Sequence, residues 1–177
     1  EKIDTAIGRL LDAGCTVAAV RDAARAVGSS LALSFGAEGS ATIGGAVSTN
    51  AGGVNVVRHG MVRRHVLGLE VVLADGRVLD DLRSVHKDNT GYALSQLFVG
   101  AEGTLGIITE VTVRLYRRPA AISAAICPFH SIDDAVRTVI ETIQSGVPIA
   151  RVELLDEVAL DAVSAVTAVA RPASAVS

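Results

Sequence analysis

Hydrophobic and polar residues recur with two different spacings along this chain, and the spacings predict its elements. Apolar residues fall on one helical face over residues 17–27, with Thr16 placed to cap the helix and Gly28 to end it. Residues 1–13 favour neither spacing, so the pattern alone leaves them open between helix and strand. The stretch at residues 36–60 is dense in glycine and is expected to be a loop.

Two later stretches have the alternation and the Val, Ile and Thr content of β-strands. The first runs from Val66 to Ala74 and is followed by the hairpin signal Asp75-Gly76 and a return strand at residues 77–79. The second runs from Ile107 to Tyr116, and residues 92–99 between them predict a short helix. The pattern therefore mixes helices with hairpin-connected strands.

Pro119 marks a boundary, because the pattern changes after it. Residues 1–118 are expected to form one domain, and residues 119–177 the beginning of another. This second part predicts a strand, a helix, a strand and a helix, at Ile122–Phe129, Ser131–Ser145, Ile149–Leu155 and Glu157–Ala168. A sheet of two strands rarely stands alone, so the second domain is expected to be incomplete.

Composition and charge argue against several classes of function. The 177 residues carry a net charge of -3, which leaves no dense basic surface for a nucleic acid. No segment reaches the roughly 20 apolar residues of a membrane span, and the N-terminus has no signal-peptide layout. Cys15 and Cys127 lie far apart and favour reduced thiols. We therefore expect a cytoplasmic protein without a membrane span, attached at most to a membrane surface.

The histidines do not predict a metal site, because none has ligand spacing to another. They are expected to be surface or structural residues, and they are His59, His65, His86 and His130.

Two glycine-rich segments are the best candidates for a binding site. In residues 42–53 (TIGGAVSTNAGG) and 100–106 (GAEGTLG), small residues let the backbone approach a ligand, and free N–H groups would suit a pyrophosphate. Ordinary tight turns explain either segment taken alone. Neither G-x-G-x-x-G opening a helix nor G-x-x-x-x-G-K-[ST] occurs, which argues against a Rossmann or P-loop site.

Four segments, taken together and in this order along the chain, are typical of one protein family. They are TIGGAVSTNAGG (42–53), RHG (58–60), VLGLEVVLADGRVL (66–79) and KDNTGYALSQLFVGAEGTLGIITEVTV (87–113). Together they resemble the FAD-linked oxidase family with the vanillyl-alcohol-oxidase-type FAD domain, and within it the D-2-hydroxyacid dehydrogenases, D-2-hydroxyglutarate dehydrogenases above all. The resemblance implies an α+β fold. This chain would be mainly the second subdomain of a two-part FAD-binding domain, an antiparallel sheet with flanking helices, followed by the start of an α+β cap domain. Residues 1–13 would be a pair of strands.

The same resemblance implies FAD as the cofactor and places thirteen residues against it. These are Thr42, Ile43, Gly44, Gly45, Thr49, Asn50, Ala51, Gly52, Glu102, Gly103, Gly106, Ile107 and Ile108. Three residues depart from the family's usual pattern, which has Asn at Ala46, Tyr at His59 and Asp at Ala93. Each departure is expected to alter the surroundings of the cofactor while leaving the glycine scaffold in place.

The activity implied for the full-length protein is oxidation of a D-2-hydroxy acid to the 2-oxo acid by hydride transfer to the flavin, with an unidentified electron acceptor. The family's first FAD-binding loop would lie upstream and its substrate-binding residues downstream. The chain is therefore expected to be a truncated piece that is inactive alone. No catalytic base is identifiable, because Glu102, the carboxylate of a candidate loop, is expected to anchor that loop.

Two alternatives stay open at this point. One is a stable, non-catalytic fragment that binds no FAD alone and self-associates into a homo-oligomer through apolar surface. The other is an FAD oxidase of the same fold that acts on lactate, glycolate or a sugar acid, since the motifs bind cofactor and carry no information on the substrate.

Overall fold

The computed structural model describes residues 9–83, 85 and 87–166. The chain divides into two compact units, Glu1–Arg118 and Pro119–Ser177, called unit 1 and unit 2 below. The division falls at the proline where the sequence pattern changes. The part that unit 2 plays in a substrate domain stays a prediction.

Unit 1 is built on antiparallel strands. They are β1 (Arg9–Asp12), β2 (Ser29–Ser30), β3 (Val66–Val72), β4 (Val78–Asp81), β5 (Ile107–Val113) and β6 (Tyr116–Arg117). Four of them form a sheet in the order β1-β5-β3-β4, and β2 pairs separately with β6. Helices occur between the strands, so the expected α+β class with an antiparallel sheet is confirmed.

The hairpin between β3 and β4 forms at the turn that the sequence predicted. Gly76 has a φ of 83°, which glycine adopts without steric cost. Leu73 donates its N–H across the turn to the carbonyl of Arg77 at 2.8 Å. β5 ends before the predicted Tyr116, because Tyr116 leaves this ladder and belongs to the β2–β6 pair.

The first helix, α1 (Val17–Ala26), has the cap and the apolar face that the sequence predicted. The Thr16 hydroxyl accepts a hydrogen bond from the N–H of Ala19 at 3.2 Å, and Gly28 follows the helix with a φ of 72°. The buried residues of the helix are Val17, Val20 and Ala24.

The expected loop at residues 36–60 contains two short helices, α2 (Ile43–Ser48) and α3 (Val56–His59), so the prediction was wrong there. Glycine disfavours helix, but α2 has compensating contacts. The Thr42 hydroxyl caps it by accepting from the N–H of Gly45 at 3.1 Å. Ile43 and Val47 are fully buried, and this tertiary burial outweighs the local propensity.

The short helix predicted at residues 92–99 shrinks to α4 (Ser95–Phe98). Only Ser95 and Phe98 of this helix are buried, whereas Tyr92 is 90% exposed. The residues before Ser95 have no packing to hold them in a helical turn, which explains the shorter element.

Unit 2 contains both helices expected from its sequence, α5 (Ile132–Gln144) and α6 (Glu157–Val166). Ser131 caps α5 by accepting from the N–H of Asp134 at 3.1 Å. The strands predicted at Ile122–Phe129 and Ile149–Leu155 are not formed, so those predictions were wrong for this structure. A strand needs a hydrogen-bonding partner, and the described part of unit 2 pairs neither segment.

The structure describes only the last part of the strand pair expected over residues 1–13. β1 supplies one strand at Arg9–Asp12, and residues 1–8 lie outside the described residues.

In unit 1, α2 packs on β5, α4 on β3 and α1 on β2, and their buried side chains form one core with those of the sheet. Its fully buried members are Val17, Ile43, Val47, Val62, Leu69, Val71, Val99, Val111 and Val113. These are aliphatic side chains, as the low aromatic content requires. Because α2 packs on β5, the two glycine segments of the sequence come to lie side by side.

Candidate functional site

A cavity of about 320 Å³ lies where α2 begins and β5 begins. Its walls come from three places in the chain: the turn before α1, one side of α2 with its cap, and the loop that leads into β5 together with the first residues of that strand. The lining residues are Ala13, Gly14, Thr42, Gly44, Gly45, Ser48, Gly103, Gly106, Ile107 and Ile108. None of these residues is ionisable, so the cavity wall is neutral.

The first wall depends on a close approach between α2 and the turn at Ala13. Gly44 donates its N–H to the Ala13 carbonyl at 2.9 Å, and Ile43 donates to the Cys15 carbonyl at 2.8 Å. A Cβ on Gly44 would lie 2.7 Å from the Ala13 Cβ, which is closer than two methyl groups can come. Glycine is therefore required here by contact with its neighbour.

The second wall depends on a similar approach at Gly106. A Cβ on Gly106 would lie 2.7 Å from Val71 Cγ1 and 2.8 Å from the Val72 carbonyl oxygen. Beyond it, Ile108 is buried in the core while Ile107 is 70% exposed. The loop thus presents an apolar side chain and a bare backbone beside the cavity.

Two backbone hydrogen bonds join the loop to the end of α2. Gly100 donates to the Val47 carbonyl at 3.1 Å, and Glu102 donates to the Ser48 carbonyl at 2.8 Å. Glu102 has a left-handed φ of 52°, a conformation that a non-glycine residue holds only when its surroundings fix it. These bonds hold the two glycine segments in register along one side of the cavity.

The supply of free N–H donors differs from the sequence expectation. Over the first half of segment 42–53 the donors are taken, since Ile43, Gly44 and Gly45 all donate within the protein. In the part of the chain that the structure describes, Gly52, Gly53 and Gly103 have N–H groups that donate to no protein acceptor. These free donors therefore lie at the C-terminal end of the first segment and in the middle of the second.

The structure brings together seven of the thirteen candidate residues: Thr42, Gly44, Gly45, Gly103, Gly106, Ile107 and Ile108. Ile43 is instead fully buried beneath them. Glu102 is exposed and connects the loop to α2 through its backbone. The remaining four, at the C-terminal end of α2, do not line the cavity; they are Thr49, Asn50, Ala51 and Gly52.

The hydrogen bonds of this last group explain why it lies apart. The Thr49 hydroxyl donates back to the Gly45 carbonyl at 3.0 Å. The Asn50 side chain accepts from the N–H of Arg63 at 3.1 Å. Both side chains therefore serve the protein scaffold.

Three lining residues were missed from the sequence: Ala13, Gly14 and Ser48. Ala13 is the last residue of the stretch 1–13, whose pattern was ambiguous, and Gly14 directly follows it. The available signal was a glycine two residues ahead of the helix cap Thr16, since a loop entering a helix is a common place for a ligand. Ser48 belongs to segment 42–53, but it is not among the residues that the resemblance places against FAD.

Two histidines form an aromatic cluster that is separate from the cavity lining. His65 is 1% exposed, and its Nδ1 lies 2.9 Å from the Tyr116 hydroxyl. The His59 ring centroid is 4.7 Å from that of Tyr116. Burial lowers the pKa of His65 from 6.5 to about 4, and burial also lowers the pKa of His59. These contacts give both residues structural roles; His86 lies outside the described residues.

The described residues give two further findings of absence. Residues 9–83, 85 and 87–166 contain no group of three or more His, Cys, Asp or Glu side chains placed to hold a metal ion. Among the helices described, none has the length and the apolar content to cross a bilayer.

Two family profiles match the chain. The profile described as "FAD binding domain" covers residues 10–81. The profile described as "FAD linked oxidases, C-terminal domain" covers residues 118–176. The first lies within unit 1, and the second begins at Arg118, one residue before unit 2.

Curated relatives match over a limited part of their own length. The "Probable D-lactate dehydrogenase, mitochondrial" of Danio rerio is 49% identical over 125 residues, which are 69% of this chain and 25% of that protein. The "D-2-hydroxyglutarate dehydrogenase, mitochondrial" of Bos taurus is 52% identical over 118 residues, which are 66% of this chain and 22% of that protein. The chain therefore spans a quarter or less of these relatives.

A solved structure agrees with the fold. An alkyldihydroxyacetonephosphate synthase superposes with a TM-score of 0.66 at 22% identity, over 79% of this chain and 25% of that chain. At this identity the likeness concerns the fold alone.

The names of the relatives correct one expectation. The cytoplasmic location expected from the sequence is wrong by this comparison, because the relatives from Danio rerio, Bos taurus and Arabidopsis thaliana are named as mitochondrial. The physical reason is general: a cellular address is carried by a targeting segment and is not encoded in the composition of a folded domain.

Proposed function

The chain belongs to the FAD-linked oxidase family, and from this premise we propose that the full-length protein is an FAD-dependent dehydrogenase of a D-2-hydroxy acid. FAD is the cofactor that both family descriptions name. The observation that carries the proposal is the neutral cavity where the two glycine segments meet. Both segments were singled out by sequence, and 46 residues of the chain separate them.

The residues around the cavity fit a part of FAD. A volume of about 320 Å³ is smaller than a dinucleotide needs, so it would take one portion of the cofactor. We propose that Thr42, Gly44 and Gly45 hold that portion from one side, and the loop from Gly103 to Ile108 from the other. The free N–H group of Gly103, which lines the cavity, would then donate to one of its phosphate oxygens.

The chemistry that FAD supplies when bound is two-electron acceptance from the substrate. In the proposed reaction the C–H bond at the hydroxyl-bearing carbon breaks, its hydride goes to the flavin, and the hydroxyl proton goes to a base. The product is the 2-oxo acid, and an electron acceptor of unidentified class reoxidises the cofactor. We assign no base in this chain.

D-2-Hydroxyglutarate is the first substrate candidate, because a relative of that name is 52% identical over 118 residues. D-Lactate is the second, because a relative with that activity in its name is 49% identical over 125 residues. The two acids differ by a second carboxylate, so a cationic residue that meets it would decide between them.

Visible absorbance of the full-length protein tests the proposal. We expect a yellow protein whose flavin bleaches on adding D-2-hydroxyglutarate or D-lactate under anaerobic conditions, and not on adding the L-enantiomers. A Gly44→Val variant should lose flavin, while Gly39→Val should keep it, because a side chain at Gly39 meets nothing within 4 Å.

Each outcome of this experiment has a distinct meaning. A flavin that stays oxidised with every D-2-hydroxy acid would contradict the proposed substrate class. It would favour the alternative of an oxidase of the same fold with another substrate, such as a sugar acid. A full-length protein that binds no flavin would contradict the proposed function itself. The 177-residue chain is measured beside it with added FAD. If only the full-length protein binds, the chain is an inert fragment, which is the remaining alternative.

A further inference from the structure

We infer that Arg63 is a positioning residue of the proposed FAD site, which ties the loop at residues 100–106 to the end of α2 without lining the cavity. The inference rests on the proposed function. It concerns a residue that neither the glycine motifs nor the cavity lining includes.

The backbone of Arg63 is fixed to the first glycine segment. Arg63 lies in the 3-10 turn Val62–Arg64. Val62 is 1% exposed and donates its N–H to the Ala51 carbonyl at 2.9 Å. Arg63 itself donates its N–H to the Asn50 side-chain oxygen at 3.1 Å, and Asn50 has a left-handed φ of 48°. The turn that carries Arg63 is therefore attached at two successive bonds.

The guanidinium of Arg63 reaches the second segment. Its Nη1 donates to the Gln96 carbonyl at 2.6 Å, and its Nη2 donates to the Val99 carbonyl. Gln96 lies inside the one-turn helix α4 and Val99 is its C-cap, and the carbonyls of the last turn of a helix lack partners within the helix. A cationic donor therefore makes stronger hydrogen bonds there than a neutral one would.

The position of these bonds makes them matter for the cavity. Val99 directly precedes Gly100, the first residue of the loop. A Cβ on Gly100 would lie 3.2 Å from the Asn50 Cβ and 3.5 Å from Arg63 Nη2, so the three residues converge on one point. From there the chain continues to Gly103 and Gly106 in the cavity wall. Arg63 thus fixes the start of the loop whose far end lines the cavity.

The test uses the full-length holoenzyme with Arg63→Met, Arg63→Lys and the matched control Arg64→Met, which removes the same charge from the same turn. We expect Arg63→Met to raise the dissociation constant of FAD about tenfold, the effect of losing about one charge-assisted hydrogen bond. The dissociation constant of FAD in Arg63→Lys should lie between those of the wild type and Arg63→Met, because a lysine ammonium keeps the charge but lacks the planar guanidinium that donates to two carbonyls. Arg64→Met should bind FAD as the wild type does.

Hydrogen exchange followed by mass spectrometry separates positioning from a general loss of stability. In Arg63→Met apoprotein we expect faster exchange over residues 95–106 and unchanged exchange over β3. Equal FAD affinity in Arg63→Met and Arg64→Met would overturn the inference, as would exchange that rises equally in β3. If Arg63→Met does not fold, Arg63→Lys against Arg64→Lys decides in the same way. A wild-type protein that binds no FAD would defeat the proposed function, while exchange in the apoprotein would still decide whether Arg63 holds the loop.

Discussion

At the scale of single residues, the glycines around the cavity are required for two different reasons. Gly44 and Gly106 have no left-handed φ, but a Cβ on either would lie 2.7 Å from a neighbouring side chain. Gly103 has open space around it and a φ of 77°, so its backbone conformation is what favours glycine. At Gly44 and Gly106 a substitution is disfavoured by the volume of the added side chain, and at Gly103 it is disfavoured by the backbone conformation.

Gly44→Ala is expected to destabilise the protein by about 1–3 kcal/mol, because the added methyl overpacks α2 against Ala13. Gly39→Ala is the matched control and should change the free energy of unfolding by less than about 0.5 kcal/mol, since its Cβ meets nothing. Urea unfolding of both variants measures the difference. Equal midpoints would mean that the Ala13 turn moves aside at no cost.

His65 should make stability depend on pH. Its folded pKa of about 4 lies below the ordinary 6.5 because of burial, so the unfolded chain binds more protons between these values. Stability is then complete above pH 6.5 and falls as the pH drops toward 4. From pH 7 to pH 5 we expect a loss of about 2 kcal/mol.

The variant that tests this linkage is His65→Gln, with the exposed His130→Gln as its control. The difference between the urea midpoints at pH 7 and pH 5 should shrink in His65→Gln and keep its wild-type size in the control. If the wild-type urea midpoint does not change over this interval, His65 can be protonated in the folded protein as easily as in the unfolded chain, and the prediction is wrong.

At the scale of elements, the sheet carries a row of like charges. Cross-strand pairing places Asp12 opposite Glu110, Glu110 opposite Glu70, and Glu70 opposite Asp80. Directly opposed like charges destabilise a sheet. Part of this repulsion is offset locally, since Glu70 accepts a hydrogen bond from the Thr109 hydroxyl at 2.6 Å. Glu110 stands between two of the other carboxylates.

Glu110→Gln is expected to raise the free energy of unfolding by about 0.5 kcal/mol at neutral pH, because it removes both adjacent repulsions. The gain should shrink at high salt, where exposed charges are screened. Glu141→Gln on α5 removes a charge outside the sheet and should have no such effect. Thermal unfolding at two salt concentrations distinguishes them, and a Glu110→Gln protein of lower stability would contradict the prediction.

Elements that could be predicted from the sequence share a local cause. The caps Thr16 and Ser131 and the turn at Gly76 act within a few residues, and the structure places all three as expected. Elements that were missed depend on distant partners. α2 exists because Ile43 and Val47 bury against the sheet, and Tyr116 leaves β5 because β2 is available to pair with it.

At the scale of the whole molecule, α5 exposes an apolar face. Ile132, Val136, Ile140 and Ile143 recur at helical spacing and are each more than 40% exposed. An apolar surface of this kind favours association. The homo-oligomer expected from the sequence stays a prediction, and this helix gives it a place to be tested.

Ile140→Glu is expected to reduce self-association of the 177-residue chain, and sedimentation velocity over a range of concentrations measures it. Thr138→Glu adds the same charge on another side of α5 and should leave association unchanged. If the wild-type chain is monomeric at every concentration, the exposed face does not drive association.

The sequence by itself determined the family, the cofactor, the α+β class and the two glycine segments, because ordered motifs and local caps are written in consecutive residues. Only the tertiary structure decided which members of those segments face one cavity. It turned Asn50 toward Arg63, buried Ile43, and added Ala13 and Gly14 to the wall. The reason is that a cavity is formed by segments distant in the chain, and their contacts depend on packing that no local pattern records.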